Sequence, residues 1–267
     1  MKNYAIFCKS DDVSLATKES LEKLMGTLSS DFKKDEDNPE LVFVIGGDGT
    51  LIRAIHNYLN KLNDVTFVGI NTGTLGYLME YNPSELDEML ASINRNTTEV
   101  ESYNLLKADI NYGEGKFDTL FAVNEFNLHK NSGYLDSDVY LDDELLERYR
   151  GSGFIVCGLI GSTGLARSYN GSILVNRKDL LEIIEVAPLR NKLGNSIGSP
   201  LIIDDSVTVR LKENLNTVYV GYDSDYLKVE KCEEITISSS DKEVFLMKNP
   251  NKNKINKIRN SLICGIR

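Results

Sequence analysis

A chain of 267 residues, 41% hydrophobic and 26% charged, has an ordinary globular composition with enough apolar material for a substantial core in two domains. Its formal net charge of −10 argues against a nucleic-acid backbone or an anionic membrane as the main partner, because nothing supplies the positive field either would need. A small anionic ligand remains allowed, since a few local cations suffice to bind a phosphate. The four cysteines, Cys8, Cys157, Cys232 and Cys264, show no C-x-x-C spacing and have only His56 and His129 to join them, so neither a metal site nor a disulfide framework is expected. No apolar run matches a secretory segment or a membrane span, which predicts a cytoplasmic protein.

In chain order, Tyr4 to Cys8 reads as a first strand, and Val13 to Met25 as a helix with Leu15, Leu21, Leu24 and Met25 turned inward. The polar stretch from Thr27 to Glu40 reads as a loop with room for a short strand. Leu41 to Ile45 is an unbroken apolar run closed by Gly46, the pattern of a strand buried on both faces in a parallel sheet. Beyond Gly46-Gly47-Asp48-Gly49-Thr50, residues Leu51, Ala54, Ile55, Tyr58, Leu59 and Leu62 recur with helical spacing, so the glycines mark a tight strand-to-helix turn. Val65 to Ile70 gives another strand, ending in the loop Asn71-Thr72-Gly73-Thr74-Leu75-Gly76-Tyr77. Ser84, with Asp87 after it, predicts the start of a helix that turns Leu86, Met89, Leu90 and Ile93 inward. Alternating strands and helices over 1–100 imply a parallel α/β domain with ligands at the carboxyl ends of its strands, where both glycine loops emerge.

After about Val100 the runs become short and alternating. Leu105 to Tyr112, Gly113-Glu114-Gly115 and Lys116 to Phe126 read as a hairpin. Further strands are predicted at Val139 to Leu141, Leu145 to Tyr149, Gly153 to Leu159, Leu201 to Ile203, Val207 to Leu211, Thr217 to Val220, Leu227 to Val229, Ile235 to Ile237 and Val244 to Met247. Helix is expected only near Ser162 to Tyr169 and Leu180 to Glu185. The prediction is an α/β fold: a parallel N-terminal domain over 1–100, then a β-rich, mainly antiparallel dinucleotide-binding domain over 101–249. The closing segment, 250–267, carries Ile255, Ile258, Leu262 and Ile263 on one helical face and is expected to pack back on the first domain.

The turn at Gly46 to Thr50 is the chemical focus. Glycines let a ligand approach the backbone and the helix behind them offers free N–H groups to an anion, yet a carboxylate there would repel a phosphate. Asp48 therefore suits work on a hydroxyl or a proton. By itself Gly-Gly-Asp-Gly is also an ordinary turn. It is neither a P-loop nor a G-x-G-x-x-G fingerprint.

Gly46-Gly47-Asp48-Gly49-Thr50 resembles the signature shared by NAD kinases, diacylglycerol-type lipid kinases and, more distantly, phosphofructokinases. Five further stretches extend the resemblance to NAD kinases over essentially the whole chain: the loop at Asn71, Asn124-Glu125, Glu147-Arg148-Tyr149-Arg150-Gly151, Gly161-Ser162-Thr163, and Ile197-Gly198-Ser199-Pro200-Leu201. The resemblance implies an α/β domain on a β-rich domain with a dinucleotide between them, and transfer of the γ-phosphoryl of ATP to the adenosine ribose 2′-hydroxyl of NAD. ATP and NAD are then substrates, Mg²⁺ arrives on the nucleotide, and the chain forms a homo-oligomer, a dimer or a tetramer. Asp48 would be the base, beside Gly46, Gly47, Gly49 and Thr50. Asn124 and Glu125 would grip ribose hydroxyls, Arg150, Ser152, Thr163 and Ser168 would contact the dinucleotide, and Ala187 would meet the nicotinamide half. Arg53, five residues past Asp48, could meet a phosphate, although a single surface arginine is the commoner explanation.

Two departures stand out. The family's Gly-Asp-Gly is here Gly151-Ser152-Gly153, and Leu165 stands where an aromatic ring lies near the adenine. Losing a charged hydrogen bond costs about 1.5–3 kcal/mol if it is not replaced, enough to weaken binding without abolishing chemistry. Three rivals follow: a catalytically weak dinucleotide-binding regulator, suggested by Ser152 and Leu165; a lipid kinase, disfavoured by the stretches at Asn71 and Ile197; and a sugar kinase of the phosphofructokinase type, disfavoured by the β-rich second half.

Overall fold

A computed structural model of the protein describes residues 2–27, 32–74, 76–189 and 196–263. The chain divides into two compact units, Met1–Tyr103 with Lys242–Arg267, and Asn104–Asp241. Through the first unit run β1 (Lys2–Cys8), α1 (Asp12–Thr27), β2 (Phe32–Lys34), β3 (Leu41–Gly46), α2 (Asp48–Asn57), β4 (Thr66–Asn71) and α3 (Leu86–Asn94). The strands pair in parallel in the order β2-β1-β3-β4. β3 is buried along its whole length because it has neighbours on both edges and helices over its faces, which explains its unbroken apolar run. In register, Gly46 pairs with Asn71, so the two glycine loops leave the sheet side by side.

Three local expectations need correction. α1 buries Ser14, Thr17, Leu21 and Met25, while Leu15 is 44% exposed. The polar pair is tolerated inside because the Ser14 hydroxyl bonds Asp11 Oδ2 (3.1 Å) and Thr72 Oγ1 (2.7 Å), and the Thr17 hydroxyl donates to the Val13 carbonyl (2.7 Å). α2 stops at Asn57, so Tyr58 and Leu59 fall beyond its last helical turn. Asn82, not Ser84, begins the next helical segment: Pro83–Glu85 is a 3₁₀ turn whose capping box pairs Asn82 with Glu85.

The chain then forms β5 (Glu99–Gly113), β6 (Lys116–Ala122), β7 (Glu125–His129), β8 (Leu135–Leu141), β9 (Glu144–Gly151), β10 (Gly153–Cys157), α4 (Leu165–Ser168), β11 (Leu180–Val186), β12 (Leu201–Asp204), β13 (Val209–Lys212), β14 (Asn216–Tyr222) and β15 (Asp225–Lys231). Six of these strands make an antiparallel sheet in the order β12-β11-β10-β7-β14-β15. Its inner face packs Phe126, Leu128, Phe154 and Val220 against residues such as Tyr149, Val209 and Leu211 from the remaining strands of the unit. β5 and β6 form the expected hairpin, but its second strand ends at Ala122 and Glu125 opens a separate strand. Leu180–Val186 is a strand, not a helix. Its apolar residues, set apart by Glu182 and Glu185, fall at a spacing close to that of a helix, but β-branched Ile183, Ile184 and Val186 fill a place between β10 and β12.

The predicted strands at Ile235 and Val244 are one strand, β16 (Glu234–Lys248), followed by α5 (Lys254–Leu262). The end of β16 returns to the first unit, where Phe245 and Leu246 pair in parallel with Thr66 and Phe67 of β4. α5 belongs to the same unit, but only Ile258 and Leu262 of its expected apolar stripe are half-buried. Ile255 is 64% exposed and Ile263 49%. Polar contacts also hold the segment: Lys257 bonds Glu80, Lys252 bonds Glu85 at 3.1 Å, and Asn251 bonds Glu88 at 2.9 Å. Cys157 and Cys232 are buried as small core residues, and Cys264 lies outside the described residues.

Candidate active site

In the first unit, β3 ends on a turn packed too tightly for a side chain at Gly46, where a Cβ would lie 2.4 Å from the Thr50 hydroxyl oxygen. Gly47, in extended conformation, caps α2 through its carbonyl, which accepts from Thr50 N (2.9 Å) and Leu51 N (3.1 Å). Thr50 is buried, so its side chain shapes the turn; Gly49 and Arg53 are exposed. Asp48 is the first helical residue, and its carboxylate reaches the loop after β4. Oδ2 accepts from Tyr77 N at 2.9 Å and Oδ1 from Leu78 N at 3.0 Å. Burial raises its pKa above the ordinary aspartate value, against the pull of these amides and of the Lys257 ammonium. Leu75, in the same loop, lies outside the described residues.

In the second unit, Asn124 and Glu125 sit where β6 passes into β7. Gly161 is pressed against them: a Cβ there would lie 1.9 Å from the Asn124 carbonyl oxygen. That approach joins the Asn-Glu pair to Gly161-Ser162-Thr163, whose hydroxyls are turned back onto the Leu159 (2.7 Å) and Ile160 (3.1 Å) carbonyls. Asp223, between β14 and β15, accepts from Val123 N (2.8 Å) and Asn124 N (2.7 Å) and thereby fixes the same link. Sequence reasoning missed Asp223. Its only mark is a Tyr-Asp-Ser-Asp turn between alternating runs, which looks like any hairpin connection.

Glu125 is 5% exposed, and its Oε2 has no hydrogen-bond partner among the described residues. Burial, aided by the Asp223 carboxylate, pushes its pKa up to about 8. The protonated acid can both donate to and accept from a sugar hydroxyl. It opens into a cavity of about 390 Å³ that also involves His129, Leu165 and Tyr219. The His129 ring stacks on Tyr219, centroids 5.6 Å apart. Leu165 also packs on the cluster of Ile155, Cys157, Ala166 and Ile184.

A second cavity of the same unit, about 310 Å³, collects Ser168, Glu185, Ala187, Gly198 and Ser199. Ala187 takes a left-handed backbone conformation, φ 46°, uncommon for a residue with a side chain and a mark of local strain. Ser152 and Arg150 flank it, for Ser152 N donates to the Val186 carbonyl (2.9 Å) and Leu189 N to the Arg150 carbonyl (2.8 Å). The Arg150 guanidinium lies 3.6 Å from Asp136 and 5.4 Å above the Tyr134 ring. Two further carboxyls, also missed, tether the Ile-Gly-Ser-Pro stretch: Glu147 accepts from Ile197 N (3.1 Å) and Glu185 from Gly198 N (2.5 Å). Burial and the neighbouring Glu185 push Glu147 up to about 7.

Open amides at the start of a helix next to a desolvated carboxylate combine anion binding with proton acceptance, the equipment of a phosphotransferase whose acceptor is an alcohol. Residues 8–98 match the ATP-NAD kinase N-terminal domain and residues 123–249 the ATP-NAD kinase C-terminal domain. An NAD kinase of Pediococcus pentosaceus is 32% identical over 98% of this chain and 98% of its own length, and one of Geobacillus stearothermophilus is 35% identical over 78% and 77%. The chain belongs to the NAD kinase family, and ATP-dependent phosphorylation of NAD is its activity. Its fold matches that of an Archaeoglobus fulgidus NAD kinase crystallised with ATP (TM-score 0.76, 23% identity, 97% of this chain and 99% of that one). It also matches a yeast NADH kinase crystallised with NADH (TM-score 0.82, 19% identity, 100% and 89%).

Two predictions come from this geometry. Gly161→Ala should force the Asn124 link apart, with loss of stability of about 1–3 kcal/mol in thermal or urea unfolding; a variant as stable as wild type would show that the approach is not tight. Glu125 and Glu147 both have folded pKa values raised above the unfolded 4.5, so they stabilise the fold below that pH and that contribution is lost as pH rises through about 7 and 8. Between pH 5 and those values each group costs about 1.4 kcal/mol per pH unit. Scanning calorimetry of the ligand-free protein should find Tm lower at pH 8.5 than at pH 6 by about 4–8 °C, less in Glu125→Gln. A flat or rising Tm would contradict it.

Proposed function

We propose that Asp48 is the general base of the NAD kinase reaction. As the adenosine ribose 2′-oxygen of NAD forms its bond to the γ-phosphorus of ATP and the bond to the ADP oxygen breaks, the hydroxyl proton passes to the Asp48 carboxylate. Protein chemistry in such a transfer is mostly positioning and charge stabilisation plus one proton acceptor. The observation that carries the reading is the pair of amides, Tyr77 and Leu78, that aims and holds a carboxylate whose proton affinity burial has raised. Gly46, Gly47, Gly49, Thr50 and Arg53 form the turn and the phosphate side. Asn124 and Glu125 bind ribose hydroxyls, with Thr163 beside them. Arg150, Ser152 and Ser168 contact the dinucleotide, and Ala187 meets its nicotinamide half.

Mg²⁺ enters as part of the Mg-ATP substrate, held by the triphosphate oxygens. No group of three His, Cys, Asp or Glu side chains fit for a metal occurs among the described residues. The chain works in the cytoplasm, and no helix among the described residues is long and apolar enough to cross a membrane. The family resemblance implies association of copies into a dimer or tetramer, which light scattering measures directly.

Asp48→Asn keeps the size of the side chain and removes the proton acceptor. kcat for NADP formation should fall by about 10²–10⁴ with NAD affinity little changed. Wild-type turnover would remove Asp48 from the mechanism, and weak binding with intact kcat would make it a ribose ligand only. The pair Ser152→Asp and Leu165→Tyr should lower KM for NAD by up to about tenfold per restored contact, with kcat nearly constant. An unchanged or higher KM in steady-state kinetics at saturating Mg-ATP would withdraw the roles given to Ser152 and to the position of Leu165.

A further inference from the structure

In the first unit, one peptide bond has a partner at each end. The N–H of the Tyr77–Leu78 peptide donates to Asp48 Oδ1 at 3.0 Å, and its carbonyl oxygen, that of Tyr77, accepts from Lys257 Nζ of α5 at 3.5 Å. We infer that Lys257 is a positioning residue for the reaction: with Glu80 it holds the Tyr77–Leu78 peptide in the orientation that aims the Asp48 carboxylate. The inference rests on the reading of Asp48 as the base.

The surroundings support it. Lys257 has only 14% of its side chain exposed and is bound to Glu80, whose side chain is 3% exposed. Glu80 also pairs with Lys248 of β16 at 2.9 Å, so Lys257 and Lys248 are held on one buried carboxylate. The Lys257 charge also acts on Asp48 itself, lowering its proton affinity against the effect of burial. Lys248 lies 5.5 Å over the Tyr103 ring and 3.7 Å from Glu101 on β5, while Lys252 is occupied with Glu85 at 3.1 Å. Among these groups Lys257 alone reaches the Asp48-bearing peptide. A cation on the carbonyl polarises the peptide and strengthens the bond its N–H makes on the far side. Burial holds the proton affinity of Lys257 below the ordinary lysine value, and the contact with Glu80 opposes that shift.

The experiment is the pH dependence of kcat for the full chain with Mg-ATP and NAD, in wild type, Lys257→Met and Lys257→Arg. Without the ammonium, Asp48 should bind its proton more tightly, so the acid limb should move up by about one pH unit. kcat at pH 7 should fall about tenfold, KM for NAD should stay within about twofold, and Lys257→Arg should recover most of both losses. A folded Lys257→Met enzyme, judged by circular dichroism and Tm, whose acid limb does not move overturns the inference. Should Lys257→Met fail to fold, Lys257→Gln supplies the same comparison, since it keeps a donor and loses the charge. Combining Lys257→Met with Asp48→Asn separates the two readings. If Asp48→Asn is inactive and the second change costs nothing further, both stand; if the two losses multiply, Lys257 acts elsewhere and only the inference fails. If Asp48→Asn retains turnover, the reading of Asp48 as base is what fails.

Discussion

The hydrogen bonds from Tyr77 and Leu78 to Asp48 are the constraint on which the first unit turns. A carboxylate at the first position of a helix is favoured by the helix dipole, but burial near a second backbone segment costs it solvation. Two amides meet that cost by occupying both oxygens. Their geometry in turn requires the loop after β4 to lie beside the turn after β3, and the parallel register of Gly46 with Asn71 provides this. Sheet pairing thus sets where the Asp48 carboxylate is, and the loop sets how it points.

The second unit solves a related problem with the opposite means. Glu125 is buried with one oxygen unpartnered and carries its proton, so nothing charged is left in the cavity at its position at neutral pH. Asp223 spends its own carboxylate on the backbone of Val123 and Asn124, which keeps the Asn-Glu pair rigid. Glu147 and Glu185 do the same for the Ile-Gly-Ser-Pro stretch. Around these cavities, acidic side chains serve as staples for main-chain N–H groups.

Much of the architecture was legible because burial leaves a plain imprint. The unbroken run of β3, the glycine turn and the hairpin of β5 with β6 each follow from local pattern. The errors have physical causes. Ser14 and Thr17 face inward because their hydroxyls find partners that no periodicity counts, displacing Leu15 to the surface. β11 reads as a helix in the sequence because Glu182 and Glu185 divide its apolar residues at a nearly helical spacing, while pairing with β10 and β12 decides for a strand. Asp223, Glu147, Glu185 and Lys257 were invisible as site residues because each acts on main-chain groups far away in the sequence. Side-chain identity near the turn indicated the chemistry, whereas the supporting shell appears only when distant segments are folded together.

β16 and α5 give the order of synthesis a structural meaning. The edge of β4 that Phe245 and Leu246 cover, and the buried Glu80 that Lys248 and Lys257 neutralise, belong to the first unit, yet both wait for residues made after the whole second unit. While the ribosome is still building that second unit, the nascent first unit has an open parallel edge and a lone acid in an apolar setting. An open edge invites pairing with another chain, and an unneutralised buried acid loosens the loop that holds Asp48. The nascent chain therefore carries an open strand edge through the middle of its own translation, and the loop that holds Asp48 gains its last neighbours from residues made at the end.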